Sequence, residues 1–111
     1  MSKRAESATP TAFTVDGVDY TISYRMAQQK AFQREVGEPV VSALVSMETT
    51  PGDMVRISAL FRFGLTPQVG EDAADDIIDR IGIARTMQLI TSAAEEAFKG
   101  LADPQKGPPA K

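Results

Sequence analysis

The sequence contains no cysteine and no histidine among its 111 residues. Thiolate nucleophiles and Ser-His-Asp or Cys-His arrangements are therefore excluded, as are zinc and other transition-metal sites built on these side chains. Disulfide bonds are excluded as well, which is typical of a protein that works in the cytoplasm.

Long apolar runs and a basic excess are also missing. No stretch approaches the ~18 apolar residues that span a bilayer, and the early Lys3 and Arg4 are followed by small and polar residues, not by the apolar core of a signal peptide. The net charge is −3, whereas domains that bind nucleic acid non-specifically are usually basic. We therefore expect neither a membrane nor a nucleic acid as partner.

The composition, 42% hydrophobic and 24% charged, is ordinary for a globular protein, and the length indicates one domain. Residues 1–11 are small, polar and without a pattern, and residues 101–111 are rich in proline. We interpret both segments as flexible tails that flank one domain at residues 12–100.

The segment FTVDGVDYTISYRM, residues 13–26, predicts a β-hairpin. Asp16-Gly17 is a strong signal for a two-residue type I′ turn, since both turn residues need positive φ. This turn places Phe13 opposite Tyr20, and the alternation of residue types puts the apolar side chains of both strands on one face. Because a lone hairpin is marginal in water, we expect this face to lie on the helices that follow.

Five helices are predicted after the hairpin, from apolar residues at three- and four-residue spacing. They are expected at about residues 26–36, 39–48, 51–65, 71–81 and 83–99. Thr50 is the predicted N-cap of the third helix, with Pro51 at its first position. The predicted fold class is therefore mainly α, a small helical domain of about five helices with an N-terminal two-stranded β-hairpin.

Acidic residues are concentrated in the fourth predicted helix, at Glu71, Asp72, Asp75, Asp76 and Asp79. Carboxylates bind divalent cations, but these lie at helical spacing and do not alternate along a loop. Pairs spaced i, i+4 also suggest acid–base chemistry, which requires a burial that nothing in the sequence provides. We favour a solvated helix face, and we predict no catalytic, cofactor-binding or metal-binding residue and no enzyme.

The third and fourth helices also suggest a helix-turn-helix, because Arg56, Arg62, Arg80 and Arg85 are available for phosphate contacts. The acidic fourth helix would face phosphate groups unfavourably. A small helical DNA-binding regulator is therefore the weakest of the alternatives that remain open.

The order of the elements carries a family resemblance. A strand–Asp-Gly–strand hairpin leads into the segment YRMAQQKAFQREVG, which is followed by a short Val/Leu helix. The segment PGDMVRISALFRFGL comes next. It is followed by an acidic helix that contains DIIDRIG and by a last helix that ends in AAEEAFKG. Over residues 13–100 this order resembles the small tail-assembly chaperones of long-tailed bacteriophages and of the related gene transfer agents. The polar N-terminal segment is a departure, since the family pattern does not require it.

The resemblance implies a binding protein that works without a cofactor. Such chaperones coat the long helical tape measure protein and keep it soluble until tail tube subunits polymerise around it. The implied partners are the tape measure protein, further copies of the chain and a frameshift-extended form, for which residues 101–111 are a suitable junction. The implied location is the cytoplasm of the bacterial host.

On this hypothesis the third helix offers a client-binding surface, and the hairpin packs on the helices or mediates self-association. The predicted client-binding residues are Ile57, Leu60, Phe61 and Phe63. The predicted hairpin residues are Phe13, Tyr20, Ile22 and Tyr24. The alternative to a chaperone is a structural head–tail connector or minor virion protein, which would remain in the mature particle.

Overall fold

The structure is a computed structural model that describes residues 11–50 and 52–99. Within these ranges the chain forms five α-helices and three short β-strands, which confirms the predicted fold class. The strands are β1 (Ala12–Val15), β2 (Val18–Ile22) and β3 (Leu65–Thr66). The helices are α1 (Met26–Val36), α2 (Val40–Thr49), α3 (Met54–Gly64), α4 (Glu71–Ile81) and α5 (Ile83–Ala97).

The two predicted tails lie outside the described residues, apart from Thr11. This residue belongs to the fold and not to a tail, since it is buried and its carbonyl accepts the N–H of Ile22 at 3.1 Å. The hydrogen bond extends the ladder between β1 and β2 by one residue beyond the predicted start of the domain.

The hairpin has the predicted turn and register. Asp16 and Gly17 have φ angles of 52° and 79°, and Phe13 lies opposite Tyr20. The sequence pattern does not predict β3, which pairs antiparallel with β2. β2 is therefore the central strand of a three-stranded sheet in the order β1-β2-β3.

Helix α3 begins three residues after the predicted position at Pro51. Its N-cap is Asp53, whose carboxylate accepts the N–H of Arg56 at 3.1 Å, as short polar caps commonly do. Thr50 closes α2 instead, because its N–H donates to the carbonyl of Ser46 at 2.7 Å. Pro51 itself lies outside the described residues.

Helix α3 is the centre of the described fold, since it packs against each of the other four helices and against β2. The largest fully buried side chains are Ile22, Phe32, Val40, Ile57, Leu60, Phe61, Leu65, Thr86, Leu89 and Ile90. Thr86 is the polar member of this set, and its hydroxyl donates to the carbonyl of Gly82 at 2.9 Å, so its burial leaves no hydroxyl proton unpaired.

The hairpin is held at the C-terminal end of α3. The N–H of Ser23 donates to the carbonyl of Gly64 at 2.9 Å, and the side-chain amide of Gln28 donates to the same oxygen at 3.2 Å. This carbonyl lies in the last helical turn, where no intrahelical donor is available. One turn earlier, the Tyr24 hydroxyl donates to the carbonyl of Leu60 at 2.8 Å.

We expect Gly64→Ala to lower the free energy of unfolding by about 1–3 kcal/mol, the usual cost of overpacking a core. A Cβ at this position would lie 2.9 Å from side-chain atoms of Ile22 and Tyr24 and 3.2 Å from the carbonyl oxygen of Ser23. Urea denaturation followed by circular dichroism measures the loss. Gly52→Ala is the matched control, since nothing lies within 4 Å of that Cβ position; equal losses would contradict the explanation.

Burial raises the pKa of the Tyr24 hydroxyl above its usual range. The unfolded chain therefore loses this proton near pH ~10 while the folded chain keeps it, so the free energy of unfolding is expected to fall as the pH rises above ~10. The contribution of this group approaches about 1.4 kcal/mol per pH unit. Urea denaturation across this pH range should show a shallower slope for Tyr24→Phe, and parallel curves would contradict the assignment.

Candidate functional site

The structure buries three of the four residues predicted to bind a client. Ile57, Leu60 and Phe61 have exposed fractions of 1%, 0% and 0%. This corrects the prediction that they offer a surface, because their side chains are part of the core and a client cannot reach them in the folded chain. Phe63 is half-buried, with its ring edge-on to Phe32 at a centroid distance of 5.7 Å.

The four predicted hairpin residues lie together against the helices. Ile22 and Tyr24 are buried. Phe13 stacks on Tyr20 with ring centroids 5.5 Å apart, and its ring centroid lies 6.0 Å from that of Phe61 on α3. The apolar face of the hairpin is therefore a layer of the core that covers the inner side of α3.

The opposite side of α3 forms the floor of an open groove of about 960 Å³, which we call the α3 groove. The α3 residues that form the floor are Met54, Val55, Arg56, Ile57, Ser58, Ala59 and Arg62, of which Ile57 and Ala59 are buried. One wall is the end of α1 with the loop that follows it, the other wall is α4, and the first residue of α5 lies at one end. The groove is formed because the end of α1 and α4 flank this side of α3 without covering it, so its apolar residues Met54 and Val55 remain in solvent.

Four aliphatic side chains that line the α3 groove remain exposed, by 83% for Val55, 49% for Met54, 41% for Ile83 and 38% for Val36. They come from three different helices and share one concave surface. Single exposed apolar residues are common, whereas a cluster of them is typical of a binding surface. These four residues replace the buried set as the candidate site.

The sequence contains a weak signal for this site. Val55 is two residues before Ile57, and a step of two residues turns a helix by about 200°. The apolar character of Val55 is therefore out of phase with the buried stripe of α3. Val36 and Ile83 carry no comparable signal, because they adjoin the helix-ending Gly37 and Gly82, which set the paths of their segments.

Arg56 joins the loop after α1 to the beginning of α3. Its Nε donates to the carboxylate of Glu38 at 2.9 Å, and its guanidinium also contacts the carboxylate of Asp53. The hydrogen bond that Arg56 donates to Glu38, together with the attraction of both carboxylates, raises the pKa of Arg56. These two acidic residues at the rim of the groove are therefore paired with a permanent cation.

The α4 wall of the groove also carries carboxylates, but these are not paired with an arginine as Glu38 and Asp53 are. Glu71, Asp75 and Asp79 line the groove at four-residue spacing. Within the described ranges none of the three takes part in an ion pair. The Asp75 carboxylate accepts a hydrogen bond from the Ser58 hydroxyl at 2.6 Å, which connects α4 to the floor of the groove.

The four arginines considered for DNA contacts lie in three different surroundings. Arg56 and Arg62 line the α3 groove, and the guanidinium carbon of Arg62 lies 4.5 Å from the ring centroid of Phe63. Arg80 pairs with carboxylates of the hairpin turn and of α4, and Arg85 lies on α5.

In the part of the chain that the structure describes, no three acidic residues are grouped so as to hold a metal ion. The helices of residues 11–50 and 52–99 include none with the length and apolar character required to cross a membrane. Comparisons of the chain with protein-family models, with curated proteins and with solved structures give no match.

We expect the two sides of α3 to differ sharply on substitution. Phe61→Ala should lower the free energy of unfolding by about 3–5 kcal/mol, as for other large core side chains. Val55→Ser, which removes apolar area already in solvent, should change it by no more than about 0.5 kcal/mol. Urea denaturation of both variants tests the assignment, and a loss for Val55→Ser as large as that for Phe61→Ala would contradict it.

Proposed function

We propose that this chain is a tail-assembly chaperone that binds the tape measure protein in its α3 groove and works without catalysis. The observation that carries the proposal is the cluster of four exposed aliphatic side chains in one groove. An amphipathic helix binds to such a groove through its apolar face, which is the contact that a chaperone of a helical client requires. The order of elements over residues 13–100 supports the choice of family.

The size of the groove suits one short segment of a long helix. α3 has 11 residues and is therefore about 16 Å long, which corresponds to about three turns of a client helix lying along it. A long client contains many such segments in succession. On this proposal several copies of the chain bind along one tape measure protein and leave little of its apolar surface in water.

Co-expression tests the proposal. The tagged chain is produced together with the long coiled-coil-like protein encoded just downstream, and the soluble amount of that protein that elutes with the tag is measured. We expect the long protein to be insoluble alone and to be recovered as a soluble complex. Val55→Asp should reduce the recovery about tenfold or more, because it places a carboxylate without a partner in an apolar contact.

Val45→Asp is the matched control, because Val45 is 57% exposed on α2 and does not line the groove. This variant should retain full recovery, and circular dichroism should show both variants folded. Equal losses in the two variants would contradict binding in the groove. Presence of the chain in mature particles would favour the structural connector, and its absence from them is expected for a chaperone.

A further inference from the structure

The charges around the α3 groove are strongly asymmetric. Six carboxylates line it, from Glu35, Glu38, Asp53, Glu71, Asp75 and Asp79, against the two guanidinium groups of Arg56 and Arg62, which leaves a net charge of −4 at neutral pH. From this we infer that the α3 groove selects a cationic amphipathic helix of a partner protein, with lysine or arginine beside its apolar stripe. The inference rests on the proposed function, since it names the kind of client segment that the groove binds.

Most of the unpaired negative charge lies on one side: of the four groove carboxylates without an ion pair in the described ranges, three lie on α4 and one, Glu35, lies on α1. Arg56 pairs with two of the carboxylates, those of Glu38 and Asp53. In the described ranges the carboxylates of the α4 wall, on Glu71, Asp75 and Asp79, have no cationic partner. The attraction for a cation is therefore concentrated along α4.

The spacing of the α4 carboxylates matches that of a helical ligand. Residues four apart on a helix lie about 6 Å apart along its axis, so these three positions span about 12 Å. A ligand helix that lies along α4 with cations at i, i+4 and i+8 presents the same repeat. Its apolar stripe then faces the exposed side chains of Met54 and Val55 on the floor.

Two synthetic helical peptides measure this selectivity on the full chain. Both carry the same leucine stripe over about five helical turns, and one has lysine and the other glutamate at the flanking positions. Fluorescence anisotropy gives the affinity of each peptide at low salt and at about 0.3 M NaCl. We expect the lysine peptide to bind at least about tenfold more tightly at low salt, and this preference to shrink at high salt.

Removal of the α4 charges should abolish most of the preference. The variant Glu71→Gln/Asp75→Asn/Asp79→Asn is expected to bind the lysine peptide about fivefold to tenfold more weakly. Asp72→Asn/Asp76→Asn/Glu96→Gln removes as many charges from helix positions that do not line the groove, and it should bind as the wild type does. Thermal unfolding followed by circular dichroism controls for the folding of both variants.

Equal affinity of the wild type for the two peptides would overturn the inference, as would equal weakening in the two triple variants. A mass in analytical ultracentrifugation that falls from dimer to monomer with Val55→Asp would assign the groove to a second copy and would overturn it too. If the lysine peptide binds but the co-expressed long protein remains insoluble, the proposed function fails while the inference about the charge of the ligand stands. Recovery of that protein unchanged by the α4 substitutions would refute the inference alone.

Discussion

The close contact between the last turn of α3 and the end of β2 is the constraint on which the rest of the structure depends. Gly64 has no Cβ, so its carbonyl reaches the N–H of Ser23, while the side chains of Ile22 and Tyr24 lie directly against its backbone. This contact places the hairpin on one side of α3. The remaining helices pack around the same central helix, and the side of α3 opposite the hairpin is left open as the floor of the groove.

On the proposed function, stability and binding therefore belong to different sides of one helix. The inner side carries Leu60 and Phe61, which have no exposed area, and the outer side carries Val55, which is almost wholly exposed. The walls of the groove are tied to its floor by polar contacts at the surface, from Arg56 to Glu38 and from Ser58 to Asp75. The groove is thus shaped by one part-buried ion pair and one exposed hydrogen bond, whereas the core determines where α3 lies.

Local features of the fold were accessible from the sequence, because they depend on neighbouring residues. The Asp16-Gly17 turn determines the register of its own hairpin, and Gly37 ends α1 with a left-handed conformation. The strand β3 was not predicted, since two residues are too few for a periodic pattern. Thr50 and Asp53 are both good caps, and only the structure shows that Thr50 closes the preceding helix.

The candidate site was less predictable than the fold. Apolar residues on two sides of α3 indicate that both sides matter, but they do not indicate which side distant segments will cover. Ile57 and Phe61 are buried because the hairpin and the other helices pack on them, and that packing has no signature within α3. The pattern of hydrophobicity shows that α3 has two apolar sides, and tertiary contacts decide which of them remains open.

The sequence distance between the hairpin and α3 has a consequence for synthesis. Tyr24 and the carbonyl of Leu60 that it contacts are 36 residues apart, and Asp16 and Arg80 are 64 apart. At a translation rate of ~5–20 residues per second, the hairpin is made some seconds before the helix that covers it. During that interval the apolar side chains of Phe13 and Ile22 have no core to enter. During this interval the nascent chain exposes an apolar surface that a helix will cover later. An apolar surface exposed before its partner is present is also the property proposed for the client.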